Sequence, residues 1–554
     1  LIGDFCFFGF ALGKVKMGMQ IFFAGDRPRA FILLLLTAIV YVPFLNNPLV
    51  FDDVSFFDRA ISFYANAHFD FNLRWFPYTT MGVTWVFAGD TPWVYRIQNL
   101  LLHGANVLLI LLLLRLWIGI FVTEPILLQK CLVGAWVAAL VFACHPLAVY
   151  GTGYLVQRSI LMATFFMLVM QIAYLKGLLE GSWRMMVIAV AGYFVTVFSK
   201  EHALLAPAIL LPLTWILRTR IMISRGALIS VWGAMILIGA IVVMKSVGIL
   251  GEPYEFQAAQ LLSLQGAPQD AFSLHVLSLL TQAKLFFKYC ALMLFPNPAW
   301  MSIDMRESFF VSYTEFSAWL GLLAYVGYGV GALVLLLKRG RLALLGLAML
   351  YPWMLFPIEF TAIRTQEIFV LYRAYLWLPG FMLLWVLLVS LLPTVRLFWL
   401  STMVFLAHLP FSWNRLWVMS DNYRLWDDAV QLLHGEDKVG AQRIYYGRAF
   451  ASGEKQDYEK AIADFRKSLG FDPSNDKVHM MLAKSLYQSG RYREAADELT
   501  RMIELNRNDG EAFFRRSVSY KALGDTVAAS QDLQRSCELG YTFSCAAINL
   551  SKSR

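Results

Sequence analysis

Four groups of ionisable residues interrupt otherwise apolar stretches of this 554-residue chain. Asp52 and Asp53 follow the run Asn46-Asn47-Pro48-Leu49-Val50-Phe51. Adjacent carboxylates among apolar neighbours push one pKa up, which suits a general base. The same pair would also cap a helix starting near Val54. His145 with Pro146, then Tyr154, Gln157 and Arg158, make the second group. A guanidinium there could grip a phosphate through two parallel hydrogen bonds, or snorkel toward lipid headgroups. His145-Pro146 could equally only end a helix. Lys200-Glu201-His202 is the third group, with Lys200 either a point charge on an anionic ligand or half of a neighbouring ion pair. The fourth is Tyr372-Arg373-Ala374-Tyr375, with Arg364 and Glu367 upstream. Three separated cations and one acidic pair suit an anionic, lipid-linked substrate, such as a sugar on a phosphorylated polyprenol.

The elements that must position these groups are apolar. The chain is 58% hydrophobic and 15% charged, against roughly 25% charged in an average soluble domain, which excludes a single water-soluble globule. Residues 421–554 hold 20 basic and 20 acidic residues, so the net charge of +9 belongs to the first 420. That charge reads as basic cytoplasmic loops, not as a nucleic-acid-binding surface. A helix crossing a bilayer needs about 20 apolar residues. Candidate spans fall near 30–45, 96–117, 131–150, 159–175, 185–199, 203–217, 227–248, 316–337, 342–357, 374–393 and 396–412, about eleven in all. Lys14, Lys16, Arg27 and Arg29 put the N-terminal side in the cytoplasm. Lys176, Arg184, Arg218, Arg220, Arg225, Lys338, Arg339 and Arg341 fall on that same side. All four chemical groups then face outward, as do the repeats that follow. Met17 and Met19 precede the first span and either reads as a start; no small-residue cleavage site follows the run from Phe31. Outer segments near 46–95 and 249–315 are rich in bulky apolar residues and read as helices lying in the membrane interface.

The tail repeats itself. Units of 34 residues at 442–475, 476–509 and 510–543 bring Ala449, Ala483 and Ser517 into one register and Ala461, Ala495 and Ala529 into another. Phe465, Leu499 and Leu533 fill the large site, Gly490 and Gly524 serve turns, and 427–435 reads as a lead-in helix. Such spacing identifies tetratricopeptide repeats, a solenoid that binds polypeptide. The fold expected is therefore all-α: a polytopic helical membrane domain over 1–420 and a repeat solenoid over 421–554. The six cysteines lack metal-ligand spacing, although Cys537 and Cys545 could approach to bonding distance.

The segment Arg74-Trp75-Phe76-Pro77-Tyr78-Thr79-Thr80, continued by Gly89-Asp90-Thr91-Pro92-Trp93-Val94-Tyr95-Arg96 and by Asn99 to His103, resembles the transmembrane and tetratricopeptide-repeat O-mannosyltransferases, which are GT-C glycosyltransferases. The acidic pair, Cys144-His145-Pro146 through Gln157-Arg158-Ser159, Ser199-Lys200-Glu201 and the repeats follow the same order. The resemblance implies a GT-C fold and inverting transfer from a polyprenyl-phosphate sugar to a protein Ser or Thr outside the membrane. Asp53 or Asp52 would take the hydroxyl proton, while Arg158, Lys200 and Arg373 would hold the leaving phosphate. His145, Gln157, Glu201, His103 and Tyr375 would support them. No metal is required, although the acidic pair could hold Mg²⁺ or Mn²⁺ weakly. Leu371 and Tyr372 depart from the acid and histidine that family members carry before the arginine, and animal members have many more repeats. A bacterial setting follows, with the chain in the inner membrane, its repeats periplasmic, and a pilin-type protein as acceptor. A lipid or glycan acceptor, as in lipid A modification, or a non-enzymatic scaffold for export or pilus assembly, are the rival readings.

Overall fold

A computed structural model describes residues 27–66, 71–247, 262–263, 265–365, 367–392, 397–433 and 440–552. Lys14, Lys16, Met17, Met19, all of 249–261 and the end of the lead-in helix lie outside the described residues. The chain divides into two compact units: Leu1–Met301 with Ser308–Asp421, and Ser302–Glu307 with Asn422–Arg554. Ser302–Glu307, which the sequence reading puts in the first domain, fall in the second unit with the repeats.

The described residues of the first unit are helices and connecting turns. Eight described helices are long and apolar enough to cross a membrane, nine when the pair Leu371–Phe381 and Leu383–Leu391, bent by 46°, counts as one. Proline sets several of their starts. Pro92, Pro125 and Pro146 each occupy a first helical position, where the missing N–H costs nothing. The run expected at 131–150 is accordingly two helices, Pro125–Cys144 and Pro146–Thr152, parted at His145.

The expected helix over 203–217 is corrected. Residues 200–211 wind in turns closed by i to i+3 hydrogen bonds, and only Leu210–Ile216 is α-helical. Pro207 lacks the N–H that a continuous α-helix would use, and Pro212 falls in the first turn of the short helix, where none is needed. The segment still traverses the unit. It leaves the end of helix Trp183–Ser199 and returns so that the Met222 N–H donates to the Leu178 carbonyl at 2.9 Å.

A second correction concerns 271–294. Lys284 and Lys288 break the apolar run, yet Ala271–Leu294 is a single helix of 24 residues with the length and composition of a membrane span. Its partners explain its position. Ser278 donates to the Ala362 carbonyl at 3.4 Å, Gln282 to Ile368 at 2.8 Å and the Tyr289 hydroxyl to Val370 at 3.1 Å. The helix lies along the 361–373 connection for much of its length, so a segment that reads as interfacial from the sequence holds a helix of span length.

Hydrogen bonds also sort the unit's ends. Gly340 to Phe121, Met222 to Leu178 and the Lys130 ammonium to Leu392 gather one set of helix ends. The four chemical groups gather at the opposite end.

In the second unit, helices Ala441–Glu454, Tyr458–Phe471, Asp476–Gln488, Tyr492–Leu505, Gly510–Ala522 and Thr526–Glu538 pair in the expected 34-residue register. Ala449, Ala461, Ala483 and Ala495 are buried where helices cross, small enough for close approach. Ala529 and Leu533, in the third pair, are only half-buried. The first turns use a left-handed residue: Gly490 (φ 81°), Gly524 (φ 83°) and, in the same register, Gln456 (φ 64°). Cys537 and Cys545 form a disulfide. Asp304 of the outer segment accepts from Arg306 and from the Arg443 Nε, each at 2.7 Å, which joins 302–307 to the repeats.

Candidate functional site

The Asp52–Asp53 pair starts a one-turn helix, Asp52–Ser55, directly after Phe51 at φ 54°. A bulky residue with positive φ costs about 1–3 kcal/mol and persists only when its surroundings fix it. Asp53 supplies that fixing. It is fully buried, and its carboxylate accepts the backbone N–H groups of Leu155 at 3.2 Å and Val156 at 2.8 Å. Burial pushes its carboxyl up to about 7, against the opposing pull of those N–H groups and the Arg96 guanidinium. The Asp52 N–H donates to the Tyr154 hydroxyl at 3.1 Å, while the Asp52 side chain is exposed. One carboxylate is thus a structural latch and its neighbour is the accessible one.

Arg158 is not available as a phosphate fork in this arrangement. Its Nε donates to Asn99 at 2.9 Å, and its terminal nitrogens to Thr80 and to the Tyr95 carbonyl at 3.3 Å each. The side chain is buried and each of its three nitrogens already donates once to the protein. His145 likewise serves the fold: Nδ1 accepts the Leu147 N–H at 3.1 Å and caps the helix Pro146–Thr152. His103 and Tyr375 form a buried internal pair. The Tyr375 hydroxyl lies 2.7 Å from Nδ1, and Nε2 lies 3.1 Å from the Ala143 carbonyl. A carbonyl only accepts, so Nε2 carries the proton and the tyrosine donates to Nδ1. Gln157 is buried, with Oε1 lacking a hydrogen-bond partner.

Lys200 differs from Arg158. It follows the helix Trp183–Ser199 in extended conformation, buried, with its ammonium 5.0 Å from the centre of the Tyr372 ring. Among the described residues the ammonium has no hydrogen-bond acceptor. Burial lowers it to about 7, helped by Arg74 and Arg373 and opposed by Glu201 and Glu367. Glu201 is held by Arg74, whose Nε donates at 3.0 Å and whose second nitrogen also bonds it. That double contact and His202 keep Glu201 well below the usual carboxylate range, although burial alone would raise it. Arg373, entering helix Ala374–Phe381, donates to Glu359 at 2.6 Å and lies 3.6 Å from Glu367. Its Nε, the Arg364 Nε and the Ser199 and Thr365 hydroxyls are buried without hydrogen-bond partners.

The fold therefore brings Lys200, Glu201 and Arg373 into one cluster and adds Arg74, His202, Glu359 and Arg364. Glu359 carried a sequence signal that the reading of runs passed over: one acid closing the apolar stretch 342–358. Among the described residues, no group of three or more His, Cys, Asp or Glu could hold a metal ion. Within the acidic pair, Asp53 gives one oxygen to each of two backbone donors, and only Asp52 presents its carboxylate to solvent.

Comparison with known proteins bears on the second unit. Residues 454–514 match the tetratricopeptide repeat family, so the helix pairs are tetratricopeptide repeats. A stretch of 111 residues is 26% identical to DnaJ homolog subfamily C member 7 of Mus musculus, covering 20% of this chain and 22% of that relative. The chain thus matches about a fifth of that relative's length. Among solved structures, YrrB, described as a repeat protein with an unusual peptide-binding site, is 12% identical over 26% of this chain and 74% of that one, with a TM-score of 0.22. Yeast Tom70 is 11% identical over 69% of each chain, with a TM-score of 0.18. The Cut9-Hcn1 hetero-tetramer of the APC/C is 12% identical over 74% of this chain and 83% of that one, with a TM-score of 0.21. At such scores these likenesses carry no argument.

Proposed function

We propose that this chain is a polytopic membrane glycosyltransferase that moves a sugar from a polyprenyl-phosphate donor to a Ser or Thr hydroxyl of an exported protein, with inversion. The observation that carries the reading is the buried Lys200 side chain, whose ammonium has no acceptor among the described residues, beside an Arg373 guanidinium whose Nε lacks a hydrogen-bond partner. Buried donors of this kind are costly unless an anion completes them. A phosphate linked to a lipid fits a site at the end of a bundle of apolar helices. An apolar groove of about 430 Å³ between helices Trp183–Ser199 and Arg225–Lys245, reaching Phe194, offers room for an isoprenoid tail.

In the proposed reaction the acceptor hydroxyl attacks the anomeric carbon from the face opposite the phosphate. The bond from that carbon to the phosphate oxygen breaks, and its electron pair leaves on the phosphate. Asp52, the exposed carboxylate, takes the hydroxyl proton, and Asp53 holds the turn that presents it. Lys200 and Arg373, with Arg364, meet the charge that develops on the leaving phosphate. The repeats hold the polypeptide acceptor and so raise its effective concentration. The setting proposed is a bacterial inner membrane, with the site and repeats on the periplasmic side.

The test is the intact mass of exported proteins from cells carrying wild-type or Asp52→Asn protein at equal abundance. A sugar-sized mass present only with the wild type supports transfer. Identical masses in both strains and in a deletion strain would overturn it and favour a binding scaffold.

A further inference from the structure

Glu359 is a buried carboxylate, 1% exposed, that serves two guanidiniums at once. Its Oε2 accepts from an Arg373 terminal nitrogen at 2.6 Å and lies 3.5 Å from the Arg364 Nε. Its Oε1 lies 3.9 Å from His202 Nε2 and has no hydrogen-bond partner. His202 is fixed in turn. Nδ1 is 3.1 Å from Glu201, which can only accept, so Nδ1 carries the proton. Nε2 then offers its lone pair to Arg364 at 3.4 Å. Two guanidiniums this close would repel one another and swing apart without the carboxylate between them. With it, each spends part of its donor set on the protein: Arg364 turns Nε toward Glu359 and a terminal nitrogen toward His202, while Arg373 keeps an Nε without a hydrogen-bond partner.

We propose that Glu359 is the positioning residue of the anion site, setting Arg373 and Arg364 so that their remaining donors face the donor lipid's phosphate. This rests on the reading of Lys200 and Arg373 as the phosphate site. Charge and positioning make opposite forecasts here, which makes the idea testable. Removing a negative charge beside an anion site should tighten phosphate binding if charge alone mattered. Removing the residue that aims two guanidiniums should weaken it.

The experiment measures binding of a long-chain polyprenyl monophosphate to the full-length protein in nanodiscs, at low and high salt, against the same polyprenol without phosphate. Glu359→Gln should weaken monophosphate binding about tenfold at both salt levels, the order expected for a charge-assisted hydrogen bond. Glu359→Asp, which keeps the charge on a shorter stem, should recover most of that loss. Unchanged or tighter binding by Glu359→Gln overturns the proposal. If that variant fails to fold, Arg373→Lys carries the test. Losing the guanidinium that Glu359 holds should weaken monophosphate binding about tenfold at both salt levels, and unchanged binding would overturn the proposal. Failure of the wild type to distinguish monophosphate from polyprenol would instead remove the phosphate site itself, whatever Glu359 does.

Discussion

The Lys200 ammonium stands 5.0 Å from the centre of the Tyr372 ring and has no carboxylate bonded to it, although Glu201 is its neighbour in sequence. Glu201 is taken by Arg74 instead. The arrangement keeps a cation uncommitted in a buried place, and burial lowers its pKa to about 7.

That value gives a pH dependence. An anion site needs the protonated amine, so phosphate binding should be strong below about 7 and fall as pH rises through it. Lys200→Arg stays protonated throughout and should hold its affinity to higher pH, even if its maximum is lower. Lys200→Met should weaken binding about tenfold or more at pH 6. Superimposable pH profiles for wild type and Lys200→Arg would remove Lys200 from the site. Binding of polyprenyl monophosphate across pH 6–9 reads this directly.

The two aspartates should separate. Asp52→Asn should abolish transfer while leaving thermal unfolding unchanged. Asp53→Asn, which cannot accept from both Leu155 and Val156, should destabilise the first unit by about 1–3 kcal/mol. Asp53 also sets a slope. Its folded pKa, raised to about 7, lies above its unfolded value of about 4, so its contribution is full below about 4 and lost as pH rises through 7. The Asn variant should lack that slope. Normal stability in Asp53→Asn with transfer lost would hand the base role back to Asp53.

Arg158→Lys should act on the fold before it acts on the donor. It loses the contacts to Asn99, Thr80 and the Tyr95 carbonyl, at a cost of about 2 kcal/mol. Thermal unfolding should drop while polyprenyl-monophosphate affinity in the surviving folded protein stays near wild type. A wild-type melting curve with lost affinity would return Arg158 to the phosphate.

Gln456 holds φ 64° at the turn where the next two repeats carry Gly490 and Gly524. Gln456→Gly should therefore stabilise the repeats, by roughly 0.5–1 kcal/mol, as read from urea unfolding followed by circular dichroism. A loss of stability would mean that the Gln side chain contributes more than its backbone costs.

The repeats were legible in the sequence because each one rests on neighbours within 34 residues. Ala449 and Ala461, or Asp457 capping the helix it precedes, need nothing from elsewhere in the chain. Most apolar runs were legible for the same local reason. Where they mislead, a local feature is responsible: prolines break 203–217 into turns, and two lysines make the span-length helix at 271–294 read as an interfacial one. The groups with chemical potential were legible by residue type. Their availability was not, because it depends on which distant backbone groups reach them. Asp53 meets Val156 across 103 positions, and Arg158 meets Thr80 across 78. Those partners consume one carboxylate and one guanidinium that spacing alone ranks with Asp52 and Lys200. Hydrogen-bond capacity is finite, so only the tertiary structure decides which polar groups spend it on the fold and which keep it for a ligand.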